Sequence, residues 1–220
     1  TENQRNLQTT TLEYSPPWIP LSMNIDTSIQ LKICEKENEN VKLHTVKKQL
    51  LLYNKTTEIF TDASVQKGGH TGIAYYKPSK DERVNFRLSD NISIVSAELF
   101  AIKCALDSLI TSSSQGETVS LITDSLTAVK LLQEDRYNYT GIETEIRAVA
   151  TKLFIEKQLQ INLIWIPAHI GIQGNEIADI LAKQGAEKSC IDIETKGSLK
   201  EIQLKIDKIV DSEWQIPGLM

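Results

Sequence analysis

Four carboxylate side chains lie far apart in the sequence, yet each stands beside or within a segment that has a clear secondary-structure pattern. Asp62 and Asp124 follow short apolar strands, whereas Glu98 and Asp179 lie on amphipathic helices. Ionised groups so close to apolar elements are costly unless something neutralises them. Two hard divalent cations, held about 4 Å apart, would neutralise four carboxylates. The residue types therefore predict a metal site, provided that the fold brings the four together.

The ligand types indicate which metal such a site would hold. Carboxylate oxygens, with one histidine nearby, favour Mg²⁺, with Mn²⁺ as a possible substitute, over zinc. The cysteines Cys34, Cys104 and Cys190 are far apart and form no CxxC pair. This spacing excludes a cysteine-based zinc site and favours a reducing compartment.

Some of these acids have simpler structural interpretations. Asp124 precedes a predicted helix and could be its N-cap, and Glu98 could be an ordinary solvated helix residue. The presence of all four acids favours metal ligation for both. Glu176 is different, because a carboxylate in the first turn of a helix is explained by the helix macrodipole. Asn175 is the expected N-cap of that last helix.

One histidine has the context of a functional residue. His169 lies in a loop that contains Gly171 and Gly174, and these glycines would give the loop freedom to move. His44 and His70 have no comparable context, and we interpret them as structural.

The elements that must position these residues follow from the hydrophobic periodicity. Alternating patterns predict three strands that form an antiparallel meander, and stripes at helical spacing separate the later strands. Strands are predicted at residues 58–61, 72–77, 83–89, 118–123 and 160–166, and helices at 93–111, 125–133, 141–157 and from about 175. The order βββαβααβα predicts an α/β fold with a mixed five-stranded sheet flanked by helices. Asp62 and Asp124 would then lie side by side at one rim of the sheet.

The chain divides into three parts. Residues 1–55 are polar and are interpreted as a connector, with a possible strand at 28–33, a possible helix at 41–53, and Trp18 as an apolar anchor. Residues 56–188 carry all the strong periodic signals and form the predicted domain. Residues 189–220 form a C-terminal flank with a predicted amphipathic helix that ends near Trp214. Because the chain begins at Thr1, we expect it to be a piece of a longer polypeptide.

Charge and hydropathy restrict the possible partners. Residues 56–190 contain 13 Lys and Arg against 17 Asp and Glu, so the domain has no basic surface of the kind that usually binds nucleic acid. The longest apolar stretch, residues 161–172, is interrupted by Asn162, Pro167 and His169. We therefore expect no membrane span and an intracellular protein.

Several of these motifs together resemble the type 1 ribonuclease H (RNase H) family over about residues 57–188. They are Thr61-Asp62-Ala63-Ser64, Ala97-Glu98-Leu99, Thr123-Asp124-Ser125 and residues 165–179, WIPAHIGIQGNEIAD. The resemblance implies an RNase H-like fold that hydrolyses the RNA strand of RNA–DNA hybrids with two Mg²⁺ ions. It assigns metal ligation and catalysis to Asp62, Glu98, Asp124 and Asp179, and proton transfer and product release to His169.

The sequence of the last motif, residues 165–179, together with the Pro-Pro-Trp segment at residues 16–18, is similar to sequences of the RNase H domains that follow the reverse transcriptase in non-LTR retrotransposons. This similarity implies an upstream reverse transcriptase domain as partner and a cytoplasmic or nuclear ribonucleoprotein as location. Small polar residues beside the acids are candidate hybrid contacts, namely Ser64, Ser96, Thr123 and Ser125. Some family members carry a basic protrusion between the two middle helices, but residues 133–140 are short and slightly acidic here. We therefore expect weak substrate affinity unless a polymerase domain adds positive surface.

Two other functions fit parts of this pattern. One is a catalytically idle RNase H-like module that braces a reverse transcriptase, which the loss of one acid would favour; all four are present. The other is a DNA-acting nuclease or integrase of the same superfamily. Such a relative would carry its last acid as Glu and would lack the His169 loop, so Asp179 argues against it.

Overall fold

A six-stranded mixed sheet runs through the computed structural model, which describes residues 22–34, 36–134 and 141–195. The strands are β1 (Asn24–Asp26), β2 (Thr57–Val65), β3 (Thr71–Lys77), β4 (Glu82–Leu88), β5 (Thr118–Thr123) and β6 (Gln160–Trp165). Their spatial order is β1-β6-β5-β2-β3-β4. Strands β1, β6, β5 and β2 pair in parallel, whereas β3 is antiparallel to both β2 and β4. The predicted antiparallel meander is confirmed as β2-β3-β4.

Six α-helices accompany the sheet within the described residues. They are α1 (Ser28–Lys32), α2 (Glu39–Leu50), α3 (Ile94–Ser112), α4 (Leu126–Gln133), α5 (Ile142–Lys157) and α6 (Gln173–Glu187). Short 3-10 helices follow α2 at Leu51–Tyr53 and β3 at Pro78–Lys80. From β2 to α6 the order is βββαβααβα, so the predicted α/β fold class is confirmed.

Alternating side chains of the central strands build a core on each face of the sheet. Ile59 and Leu121 join the core formed with α3, α4 and α5, whereas the next residues, Phe60 and Ile122, join the core formed with α2 and α6. This division follows from the two-residue repeat of a strand. Helices therefore cover both faces of the sheet.

The N-terminal part differs from the prediction in one respect. Residues 28–33 were expected to be a strand, but Ser28–Lys32 form α1, and the strand in this region is β1. The side chain of Asp26 accepts a hydrogen bond from the Ser28 backbone N–H at 2.8 Å, which turns the chain from β1 into α1. Because β1 adds to β6, the sheet has six strands rather than five.

The described part of residues 1–55 packs against the domain. Met23 lies in the core with α5, and Ile29 and Val46 are fully buried in the core with α6. At the other end, Ile193 forms an isolated bridge with Leu88. The boundaries at residues 55 and 188 stay predictions. Trp18, most of the 133–140 linker and the helix expected to end near Trp214 lie outside the described residues.

No helix within the described residues has the length and apolar character needed to cross a membrane.

Candidate metal and active site

The register of β2 and β5 brings the first two acids together. The last pair of this parallel ladder is Thr61 with Thr123, so Asp62 and Asp124 are the next residues along neighbouring strands. Strand β5 ends at Thr123, whereas β2 continues to Val65 by pairing with β3. Asp62 therefore lies inside its strand rather than at its end, and the rigid ladder to β3 fixes its backbone.

Helix α3 supplies the third acid. It begins after Ser93, whose side chain accepts a hydrogen bond from the backbone N–H of Ser96, and Glu98 is the fifth residue of the helix. Carboxylate oxygens of Asp62, Glu98 and Asp124 all lie within 4.8 Å of one another. We call these three residues the carboxylate triad. Asp62 is 6% exposed and Glu98 is 5% exposed, so both are shielded from water, whereas Asp124 is partly exposed.

Burial raises the pKa of each member of the triad, and the charges of neighbouring carboxylates add to the rise. Burial, followed by the charges of Asp124 and Asp179, raises the pKa of Asp62 to about 8. Burial and the charges of Asp62 and Asp124 raise the pKa of Glu98 well above its usual value. The buried Oε2 atom of Glu98 has no hydrogen-bond partner within the described chain.

These properties fit a divalent cation. Three hard oxygen donors within one small volume match the ligand preference of Mg²⁺ and Mn²⁺. Without a cation, burial and the charges of neighbouring carboxylates oppose ionisation of the triad. A bound cation would remove that opposition and would also supply a partner for the orphaned Glu98 oxygen.

The turn after β5 holds Asp124 by its backbone. The Asp124 carbonyl accepts hydrogen bonds from the Trp165 indole N–H at 3.0 Å and from the Leu126 backbone N–H at 3.1 Å. The N-cap of α4 is Ser125, whose side chain accepts a hydrogen bond from the Ala128 backbone N–H. The side chain of Asp124 is therefore not the helix cap and is free to act as a ligand.

The side chain of Asp124 receives its own support from α6. The Asn175 Nδ2 atom donates a hydrogen bond to Asp124 Oδ2 at 2.9 Å. Burial raises the pKa of Asp124, while this hydrogen bond and the charge of His169 oppose the rise.

Asn175 does not have the role that was predicted for it. Helix α6 begins at Gln173, and its N-cap, Ile172, makes no side-chain cap hydrogen bond. Asn175 is thus the third helical residue, and it is 2% exposed. Its position four residues before Asp179 puts both side chains on one face of α6, and this spacing was the signal that could have indicated a role in the site.

Asp179 stands apart from the triad. Its Oδ2 atom pairs with Lys183 Nζ at 2.6 Å across one turn of α6, and its side chain is 16% exposed. The negative charge of Asp179 nevertheless raises the pKa values of Asp62 and Asp124. Of the four predicted metal ligands, the structure gathers three, and it places the fourth close enough to act on them electrostatically.

The loop before α6 carries His169 in a conformation that is uncommon for a residue with a side chain. His169 is exposed and has a φ of 53°, and Gly171 has a φ of 81°. The charge of His169 lowers the pKa of Asp124 and so opposes the effect of burial. Its role in proton transfer stays a prediction.

The four candidate hybrid contacts differ in exposure. Ser64, Ser96 and Ser125 are partly exposed, whereas Thr123 is fully buried. The Thr123 hydroxyl accepts a hydrogen bond from the Ser125 backbone N–H at 3.2 Å and so supports the turn that carries Asp124. Contact between these residues and a hybrid stays a prediction.

Comparison with known protein families identifies the domain. The family model described as RNase H matches residues 54–187, which is more than half of the chain. The match includes the whole carboxylate triad, together with the loop of His169 and helix α6, which carries Asn175 and Asp179. With this match, and with the mixed sheet and its helices in the order found here, the chain belongs to the RNase H family.

Proposed function

We propose that the protein is an endonuclease that hydrolyses the RNA strand of RNA–DNA hybrids by two-metal-ion catalysis. The observation that carries this proposal is the carboxylate triad, in which distant segments of an RNase H domain bring three oxygen ligands, two of them on buried side chains, within 4.8 Å of one another. Such a site would serve phosphodiester hydrolysis, because bound divalent ions would activate water and offset the negative charge that develops on the phosphoryl and leaving oxygens.

The chain's own residues would bind and orient the reacting groups. Asp62, Glu98 and Asp124 would hold the ions, and Asp179 would join them from α6, one turn after Asn175. The Asp62 carboxylate is oriented by the hydrogen bond that its Oδ1 atom accepts from the Ala63 N–H at 2.8 Å. His169, on its exposed loop, would transfer a proton and assist product release. No covalent protein nucleophile is required by this chemistry.

Recognition of the hybrid would depend on the sugar of the cut strand. Proteins distinguish RNA from DNA by contacts with the 2′-hydroxyl. Small polar side chains near the triad are suited to such contacts, and we retain Ser64, Ser96 and Ser125 as direct candidates, with Thr123 as support for the turn.

We further propose that the domain works within a reverse transcriptase polyprotein of the non-LTR retrotransposon type, in an intracellular ribonucleoprotein. The net charge of −5 supports dependence on a larger protein, because a polyanionic substrate is repelled by an acidic surface. Fusion to an upstream polymerase domain should raise hybrid affinity. Equal affinities of the isolated and the fused forms at matched salt would contradict this dependence.

A substrate panel tests the proposed activity. An RNA–DNA hybrid with either strand labelled, double-stranded RNA and double-stranded DNA would each be incubated with the protein in Mg²⁺ or in EDTA. We expect Mg²⁺-dependent cleavage of the RNA strand of the hybrid alone, with 5′-phosphate and 3′-hydroxyl ends. Cleavage of the DNA strand would favour the DNA-acting nuclease, and an intact hybrid would favour the idle module.

A matched pair of variants shows whether the triad is responsible. Glu98→Gln should abolish cleavage. Glu117→Gln makes the same chemical change at a position immediately before β5, whereas Asp124 follows the other end of that strand. The Glu117 side chain accepts a hydrogen bond from the Ser114 backbone N–H. Glu117→Gln should leave cleavage intact, so equal activity of the two variants would contradict the proposed site.

A further inference from the structure

Asn175 combines three properties that helix formation does not explain. It is 2% exposed at the third position of α6, its Nδ2 atom donates to Asp124 Oδ2 at 2.9 Å, and its Oδ1 atom has no hydrogen-bond partner within the described chain. A buried amide with an unsatisfied oxygen is destabilising, because that oxygen loses its hydrogen bonds to water and gains none in the protein. An alanine at this position would avoid that cost and would favour the helix.

The hydrogen bond determines which way the amide faces. An ionised carboxylate only accepts hydrogen bonds, so Asn175 must present its N–H group to Asp124. Its carbonyl oxygen, on the same planar group, is then fixed beside the site. Asp124 uses one carboxylate oxygen for this bond and keeps its second oxygen for another partner.

The free carbonyl needs a donor that the described residues do not supply. Buried polar atoms in native proteins are almost always paired, with ordered water if not with protein. A hydrated divalent cation is one source of such water, because Mg²⁺ in proteins usually keeps several of its waters. A hydrated divalent cation would provide a partner for both unpaired oxygens, Asn175 Oδ1 and Glu98 Oε2.

We propose that Asn175 is a positioning residue of the metal site, which holds the Asp124 carboxylate in its ligating orientation and accepts a hydrogen bond from water in the site. The inference rests on the proposed function, since it concerns the cation that serves the same reaction. Partners that orient a metal-ligating group typically change metal affinity 10- to 100-fold when they are removed.

Calorimetric titration of Mn²⁺ into the full chain, without substrate, tests this role. Asn175→Ala should weaken Mn²⁺ binding about 10- to 100-fold. Asn175→Ser, which keeps a shorter donor, should fall between Asn175→Ala and the wild type, and it carries the test if Asn175→Ala does not fold. In an Asp124→Asn background, removal of the Asn175 amide should have no further effect on affinity, because the group through which it acts is gone.

A matched control separates positioning from general stability. Gln49 is also a buried amide that donates to a carboxylate, Asp26 Oδ2, at 3.0 Å, but it lies on α2. Gln49→Ala should lower the melting temperature and leave Mn²⁺ affinity unchanged. Equal Mn²⁺ affinities of the wild type and both Asn175 variants would overturn the positioning role while the proposed function stands. Absence of Mn²⁺ binding by the wild type would overturn both.

Discussion

Replacing Asp62 with asparagine should stabilise the metal-free protein. Burial and the charges of Asp124 and Asp179 raise the pKa of Asp62 from 3.8 to about 8. Between these two values the folded state holds a proton that the unfolded chain has lost. The free energy of unfolding of the metal-free protein therefore falls as pH rises through this window. A neutral amide at position 62 removes that loss.

The size of the effect follows from the width of the window. From pH 4 to pH 7 it covers about three pH units, each worth about 1.4 kcal/mol, so the ceiling at pH 7 is about 4 kcal/mol. The expected stabilisation is smaller than this ceiling, because the new amide N–H group needs an acceptor and because Glu98 still contributes to the repulsion among the remaining acids. We expect Asp62→Asn to raise the free energy of unfolding by about 1–3 kcal/mol. For a chain of this size this corresponds to an increase of about 2–10 °C in melting temperature.

The assay is thermal unfolding in EDTA at pH 5, 7 and 8. The stabilisation by Asp62→Asn should grow as pH rises, and added Mg²⁺ should stabilise the wild type but not the variant. A variant no more stable than the wild type in EDTA at pH 7 would refute the electrostatic reasoning.

Asp26→Asn is a control of opposite sign. Burial raises the pKa of Asp26, but hydrogen bonds from Ser28, Tyr53 and Gln49 outweigh it and lower the pKa overall. Its ionised form therefore stabilises the fold above the unfolded pKa, and this contribution is lost only as pH falls through the folded value. Asp26→Asn should lower the melting temperature at pH 7.

Three further predictions concern the same site and its support. Cation binding should release protons, so Mn²⁺ affinity should increase as pH rises from 6 to 8. An affinity independent of pH in this range would contradict the raised pKa values of the triad. Lys183→Met removes the ammonium group paired with Asp179 and should tighten Mn²⁺ binding about two- to fivefold, as measured by calorimetry. Lys103→Met removes a similar ion pair, with Asp107 on α3, and should leave Mn²⁺ affinity unchanged. Gly72→Ala should destabilise the fold by about 3 kcal/mol, because the new Cβ would lie 2.1 Å from the Ala182 carbonyl oxygen. Urea unfolding measures this loss. A variant as stable as the wild type would show that α6 can move away from β3.

The sequence was sufficient to predict the elements that position the triad. Local pattern predicts the apolar strands that precede Asp62 and Asp124 and the helix with a regular apolar stripe around Glu98, although β2 continues past Asp62 to Val65. Adjacency of the two aspartates then follows from parallel pairing of their strands, which the register of Thr61 with Thr123 confirms.

Features that depend on distant contacts were not predictable in the same way. Strand β1 has three residues, too few for a periodic signal, and it is held by pairing with β6 and by the hydrogen bonds that Gln49 and Tyr53 donate to Asp26. Asn175 matches the residue preference for an N-cap, but α6 begins at Gln173, and the Asn175 amide donates to Asp124 instead of capping the helix. In both cases the side chain or strand has a partner remote in sequence, which a local pattern does not show.

Single-turnover cleavage of an RNA–DNA hybrid in Mg²⁺ by the wild type, Asp62→Asn and Asp124→Asn tests the central claim most directly. The RNA strand is labelled, and circular dichroism confirms that all three proteins are folded. We predict cleavage by the wild type and a loss of rate of at least about 100-fold in both variants, since each removes an anionic ligand of the metal site. Equal cleavage by all three proteins, or cleavage by none, would contradict the assignment of the carboxylate triad as a catalytic metal centre.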